Sequence, residues 1–202
     1  MAKITNFTSD AVQIKYDVLK RVAELAYEGT LEKHLDEIPF DLIPGNVARF
    51  RCCVYKEREI IRGRVRLTQG KSAQPGEEAH VVNVIKAACE GCPINRFRVT
   101  ENCQRCMAKH CIAACPFNAI SISGKGAYID PDKCRECGRC AKACPYNAIA
   151  DLVRPCKRSC PVDAITMDQQ SKIAAIQPEK CISCGNCVRS CPFGAISDIS
   201  YI

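Results

Sequence analysis

Ile14, Val18, Val22, Leu25 and Ala26 recur at three- and four-residue intervals, the spacing that places them on one face of a helix. Ser9 or Asp10 supplies the N-terminal cap, and Gly29 ends the helix. A short helix from Thr30 carries Leu31, Leu35 and Ile38 inward, with Pro39 as its stop. After Pro44 and Gly45 a third helix is predicted from Cys52 to Leu67, with Gly63 as its weak point. Residues 70–80, GKSAQPGEEAH, are polar and turn-forming and read as a linker. From Val81 the period changes: VVNVIKAACEGCP reads as a strand feeding a cysteine turn. Beyond it the apolar runs are brief, as in AISIS (119–123) and AITMD (164–168), with return strands AYID (127–130) and AAIQ (174–177). Short strands and short helices around cysteine turns predict small α+β units. Such units bury too little apolar surface to fold alone, so metal ligation must supply much of their folding free energy.

An internal repeat organises this second part. One hexapeptide recurs as CPFNAI from Cys115, CPYNAI from Cys144, CPVDAI from Cys160 and CPFGAI from Cys191. Cys134, Cys137, Cys140 and Cys144, then Pro145, form C-x2-C-x2-C-x3-C-P. This is the bacterial ferredoxin run, in which three close thiolates ligate one [4Fe-4S] cluster and the fourth ligates the neighbouring one. Cys181, Cys184, Cys187 and Cys191, then Pro192, repeat it unchanged; Cys103, Cys106, Cys111 and Cys115, then Pro116, widen the middle gap to four residues. Gly138 and Gly185 lie inside the turns, where the missing Cβ lets backbone approach a bound cluster. Cross-pairing predicts one cluster on Cys103, Cys106, Cys111 and Cys144 and a second on Cys134, Cys137, Cys140 and Cys115. A third takes Cys181, Cys184, Cys187 and Cys160. Cys156-x3-Cys160-Pro161 is the back half of a motif lacking its first two cysteines, and Cys89-x2-Cys92-Pro93 offers a matching pair. The fourth set is therefore Cys89, Cys92, Cys156 and Cys191.

Competing readings attach to the same residues. Zinc also accepts four thiolates, commonly as paired CxxC units, but repeated CxxCxxC triplets with a distant Cys-Pro favour clusters. Cys52 and Cys53 read as buried helix thiols and are the next ligand candidates if the Cys89/Cys92 pairing fails. His110, His34 and His80 read as ordinary histidines. The basic runs Lys56–Arg66 and Lys157–Arg158 read as solvated faces, with a docking surface for an acidic redox partner as the sharper alternative.

Composition narrows the class. The chain has 18 cysteines among 202 residues. Its N-terminus carries no secretory h-region, which points to a reducing, cytoplasmic setting and to metal ligands rather than disulfides. No apolar run is long enough to span a bilayer, so no membrane partner is expected. The formal charge of +7 raises nucleic acid as a partner. Four thiolate-ligated clusters at about −2 each would bring the total to about −1, so the basic excess reads as an offset to cluster charge, with no nucleic-acid role.

The stretches RFRCCVYKEREIIRGRVRL, AACEGCPINRF, NCQRCMAKHCIAACPFNAI and DLVRPCKRSCPVDAI together resemble the N-terminal accessory region of group B monomeric [FeFe]-hydrogenases, over essentially the whole chain. The resemblance implies tandem bacterial 2[4Fe-4S] ferredoxin-like units behind a helical N-terminal region. It implies an anaerobe's electron relay between a ferredoxin-type carrier and a hydrogenase catalytic domain. The catalytic-domain cysteine motifs of that family (TSCCP, MPC, ExxxCxxxC) do not occur in these 202 residues, so no catalytic residue and no enzyme activity are assigned to them. The paired motifs also resemble the four-cluster subunits of molybdopterin oxidoreductases. The expected organisation is a helical region and linker at 1–80, a strand with CxxC plus a first dicluster unit at 81–155, and a second unit at 156–202 closed by Cys89 and Cys92. Against the relay stands a second class, a redox-sensing or docking module folded by its clusters.

Overall fold

The computed structural model describes residues 9–92, 95–168 and 170–199. Two compact units divide it: residues 1–91 together with 155–202, and residues 92–154. Strand pairing, set out below, takes the strand after Val81 to the far end of the chain.

Helix α1 (Asp10–Tyr27) starts at Ser9, whose extended backbone lets its hydroxyl oxygen accept the Val12 N–H at 3.4 Å. Gly29, at φ 71°, ends that turn in the left-handed region. The short α2 (Leu31–His34) follows, then α3 (Ile38–Leu42) and α4 (Val54–Thr68). Val18, Val22 and Leu25 of α1 pack with Ile38, Ile61 and Val65, so the amphipathic face read from the sequence is the buried one. Pro39 is not a stop. It lies in the first turn of α3, where its missing N–H has no helical acceptor to lose.

Helix α4 differs from expectation at three points. Cys52 and Cys53 are exposed, not buried helix thiols: Cys53 is the extended N-cap, and Val54, Ile60 and Ile61 take the inward positions behind it. Gly63 lies inside the helix without ending it, at a close approach where a Cβ would lie 3.2 Å from Cγ2 of Ile85. The Lys56–Arg66 run is not a solvated face throughout, since Glu57 and Arg64 are buried. Glu57 Oε1 accepts three consecutive N–H groups, from Arg49, Phe50 and Arg51, at 2.7, 2.5 and 2.7 Å. Part of the 70–80 linker is also anchored: Ser72 and Ala73 are buried, and Arg66 Nε donates to the Ser72 carbonyl at 2.9 Å.

The remaining elements are short: β1 (Val82–Val84), a 3-10 segment (Lys86–Gly91), β2 (Phe97–Val99), α5 (His110–Ala113), β3 (Ile120–Ser123), β4 (Gly126–Ile129), α6 (Arg139–Ala143), β5 (Ile149–Asp151), α7 (Pro155–Arg158), β6 (Ile165–Met167), β7 (Ala174–Ile176), α8 (Asn186–Ser190) and β8 (Ile196–Asp198). In the 92–154 unit β2 pairs antiparallel with β5, and β3 with β4, around Phe97, Ile120, Cys140 and Ile149. In the other unit β1 pairs antiparallel with β8, and β6 with β7. Its core joins Ile85, Cys89, Cys156, Ile165 and Ile196 to Ile60 and Leu67 of α4.

Several backbone bonds around the short strands correspond between the two units. Val99 faces Ile149 as Val84 faces Ile196, five residues past the last cysteine of a run in each case. Thr100 N–H donates to Ala148 O at 2.8 Å, and Ile85 N–H to Ala195 O at 2.7 Å. Asp130 N–H donates to Ala119 O, and Gln177 N–H to Ala164 O, both at 2.8 Å. Among the described residues no helix is long and apolar enough to cross a membrane.

Candidate metal centres

Left-handed backbone shapes the turns of the three complete cysteine runs. The residue before the second cysteine has positive φ in each complete run: Arg105 (49°), Glu136 (53°) and Ser183 (53°). So does the residue two before the third cysteine: Lys109 (46°), Gly138 (77°) and Gly185 (72°). These bends let neighbouring side chains and N–H groups converge on one side of the chain. Gly138 and Gly185 therefore answer a conformational demand, although Lys109 shows that the position tolerates a side chain. Gly138 has a packing role as well, since its Cβ would lie 3.3 Å from the Phe97 ring. The third residue after the last cysteine repeats the pattern, with Asn118, Asn147, Asp163 and Gly194 all left-handed. That is why Asn, Asp or Gly stands there in every hexapeptide.

The bend turns the next N–H back onto the thiol. Ala119 donates to Cys115 Sγ and Ala148 to Cys144 Sγ, both at 3.4 Å; Ala164 donates to Cys160 Sγ and Ala195 to Cys191 Sγ, both at 3.3 Å. A second donor reaches the leading thiol from the return strand: Ala127 N–H lies 3.5 Å from Cys103 Sγ, and Ala174 N–H lies 3.4 Å from Cys89 Sγ. Ala127 faces Ile122 and Ala174 faces Met167, two residues into the preceding strand in both hairpins. Cys89 thus stands in its unit where Cys103 stands in the other. These backbone donors are the functional groups that motif reading missed; the invariant Ala of the four hexapeptides was the available signal.

Thiols from different runs come together. One cleft is lined by Cys115 together with Cys134, Cys137 and Cys140, walled by Phe97 and Phe117. Burial pushes the Cys140 thiol up, and the thiolates of Cys134, Cys115 and Cys137 push it the same way. Burial likewise raises Cys111, with Cys144 and Cys106 adding to it. The N–H groups of Ala127 and Arg105 hold Cys103 below the ordinary thiol range, and the Arg105 charge helps. Cys187 is raised by burial and by Cys181 and Cys184. Cys89 and Cys156 are buried in one core with Cys187, and Cys160 and Cys191 pack against it. Cys92 is half-buried, and Pro93 lies outside the described residues. His110 is exposed at the start of α5, and Lys157 and Arg158 are exposed.

Convergent, mutually repelling thiols met by inward N–H donors suit a ligand that is anionic, sulfur-rich and needs four thiolates, which is the chemistry of an iron–sulfur cluster. Family comparison points the same way. Residues 102–148 match the 4Fe-4S dicluster domain, and residues 149–202 match the LdpA Fe-S cluster-binding domain. The chain is similar to Ferredoxin-1 of Caulobacter vibrioides, 37% identical over 76 residues, which are 38% of this chain and 53% of that protein. It is also similar to a ferredoxin of Saccharopolyspora erythraea, 41% identical over 44 residues, which are 22% of this chain and 42% of that protein. The chain therefore spans about half, or less, of the length of these relatives. Over these stretches the chain is ferredoxin-like, and both matched domains are of the iron–sulfur-binding kind, the first a 4Fe-4S dicluster domain.

Proposed function

We propose that the chain is a four-cluster electron relay built from two ferredoxin-like units in tandem. The cleft that joins Cys115 to the Cys134, Cys137 and Cys140 triplet supports this reading, because cross-pairing of two runs calls for those four thiols at one site. By the same logic Cys103, Cys106, Cys111 and Cys144 form the companion set. In the other unit Cys181, Cys184 and Cys187 join Cys160. Cys89, Cys92 and Cys156 join Cys191, with Cys89 and Cys156 in the positions of a first and third cysteine. Residues 93–155 then separate, in chain order, the second and third cysteines of that leading run.

A bound cluster supplies a one-electron couple. The protein's part is to hold it with four thiolates, to direct N–H groups at the sulfurs, and to admit a partner closely on one side. Cys137 and Cys184 are the exposed ligands and offer that approach. From its resemblance, the chain exchanges electrons with a ferredoxin-type carrier and serves the catalytic site of an [FeFe]-hydrogenase-like oxidoreductase, without catalysis of its own. Anaerobically purified protein should contain about sixteen iron and sixteen acid-labile sulfide per chain, bleach reversibly with dithionite and pass electrons to a ferredoxin. Zinc in place of iron, or reduced protein that reduces no carrier, would overturn the proposal.

A further inference from the structure

Arg64 of α4 projects into the loop that holds Cys191. Its Nη2 donates to the Gly194 carbonyl at 2.7 Å, one residue before the Ala195 N–H that meets Cys191 Sγ. The side chain is 6% exposed, and its Nε has no hydrogen-bond acceptor among the described residues. Asp198 lines the same small cavity but is engaged by Lys15 at 2.6 Å. Burial pushes the guanidinium down to about 10, and the Cys191 thiolate draws it back up, so it stays charged at neutral pH.

The sequence around Arg64 is fitted to this contact. The other three hexapeptides carry Asn118, Asn147 and Asp163 at the left-handed position; the fourth carries Gly194. A Cβ there would lie 2.7 Å from Arg64 Nη2 and 2.9 Å from Ala11 Cβ. Glycine therefore admits the guanidinium, and α1 seals it from solvent.

We propose that Arg64 is a potential-setting residue for the cluster ligated by Cys191, an inference that rests on the four-cluster reading above. A buried, carboxylate-free cation favours the more negative, reduced state of its neighbour, whereas solvated surface cations are largely screened. Arg64 thus makes the Cys191 cluster easier to reduce than its surroundings would otherwise allow.

The test is an EPR-monitored redox titration of the full, cluster-loaded chain, with iron and sulfide determined on wild type, R64M, R64K and G194N. R64M removes the charge, R64K keeps it, and G194N displaces the guanidinium while retaining a residue the backbone accepts. One midpoint should fall in R64M and in G194N by a tenfold or larger change in its reduction equilibrium, about 59 mV for one electron. The other midpoints should hold, and R64K should stay within threefold of wild type. The proposal is overturned if no single midpoint moves by threefold in iron-replete R64M or G194N, or if all midpoints move together. Should R64M lose iron, an unshifted, iron-replete G194N still overturns it and leaves Arg64 a packing residue. C191A that loses no iron would instead sink the four-cluster reading.

Discussion

The cross-paired thiols can be tested by counting iron in a double-mutant cycle. Cys115 follows Cys103, Cys106 and Cys111 in the chain, yet it lines the cleft of Cys134, Cys137 and Cys140 and acts electrostatically on Cys140. If four thiolates are needed to hold a cube, C115A and C134A each remove the same one, and iron falls from about sixteen to about twelve per chain. The C115A/C134A pair then loses no more than either single change, because both act on one site. C115A combined with C103A removes two different cubes and leaves about eight iron. The cycle is read by iron and sulfide analysis, with EPR of the reduced protein to show which signal disappears. The reasoning fails if C115A and C103A together cost only one cluster, since Cys115 would then serve its own run. It fails too if C115A and C134A add.

Three further outcomes follow from the packing. Glu57→Ala leaves the N–H groups of Arg49, Phe50 and Arg51 without their shared acceptor; it should cost about 3 kcal/mol, a fall of roughly 6–12 °C in thermal midpoint, with the iron content unchanged. Loss of iron in that variant would show that the α4 region does more than support the fold. Gly138→Ala forces a side chain into left-handed backbone 3.3 Å from Phe97 and should lower stability by about 1–2 kcal/mol in denaturant or thermal unfolding. At the equivalent turn Lys109→Gly relieves the same strain and should raise stability by up to about 1 kcal/mol; an unchanged midpoint would show that the strain is absorbed locally.

Local signals were strong in this chain, and the structure follows them closely in kind. The helical period of Ile14 to Ala26 gives α1 its buried face, and the four hexapeptides each lead into a strand. Readings failed where a residue's role depends on what lies across from it. Pro39 read as an end because proline breaks helices, but tertiary packing restarts a helix around it. Cys52 and Cys53 read as buried helix thiols because adjacent side chains rarely converge on one metal, yet both are exposed and the core goes to Val54 and Ile60. Arg64 read as one basic residue in a solvated run, and only the seating of α4 on the Cys191 loop buries it.

The sequence alone determined the ligand chemistry, because thiolate number, spacing and the following proline are local facts that dictate what metal group the turns can wrap. Tertiary structure decided which strands pair and which thiols share a cleft or a core. The spacing brings Cys89 and Cys92 into the fourth set only by elimination, whereas the Ala174 N–H meets Cys89 Sγ as the Ala127 N–H meets Cys103 Sγ. A strand near residue 83 can bond a strand near residue 197 only once the intervening chain has folded out of the way, and that long-range hydrogen bonding leaves no trace in local periodicity.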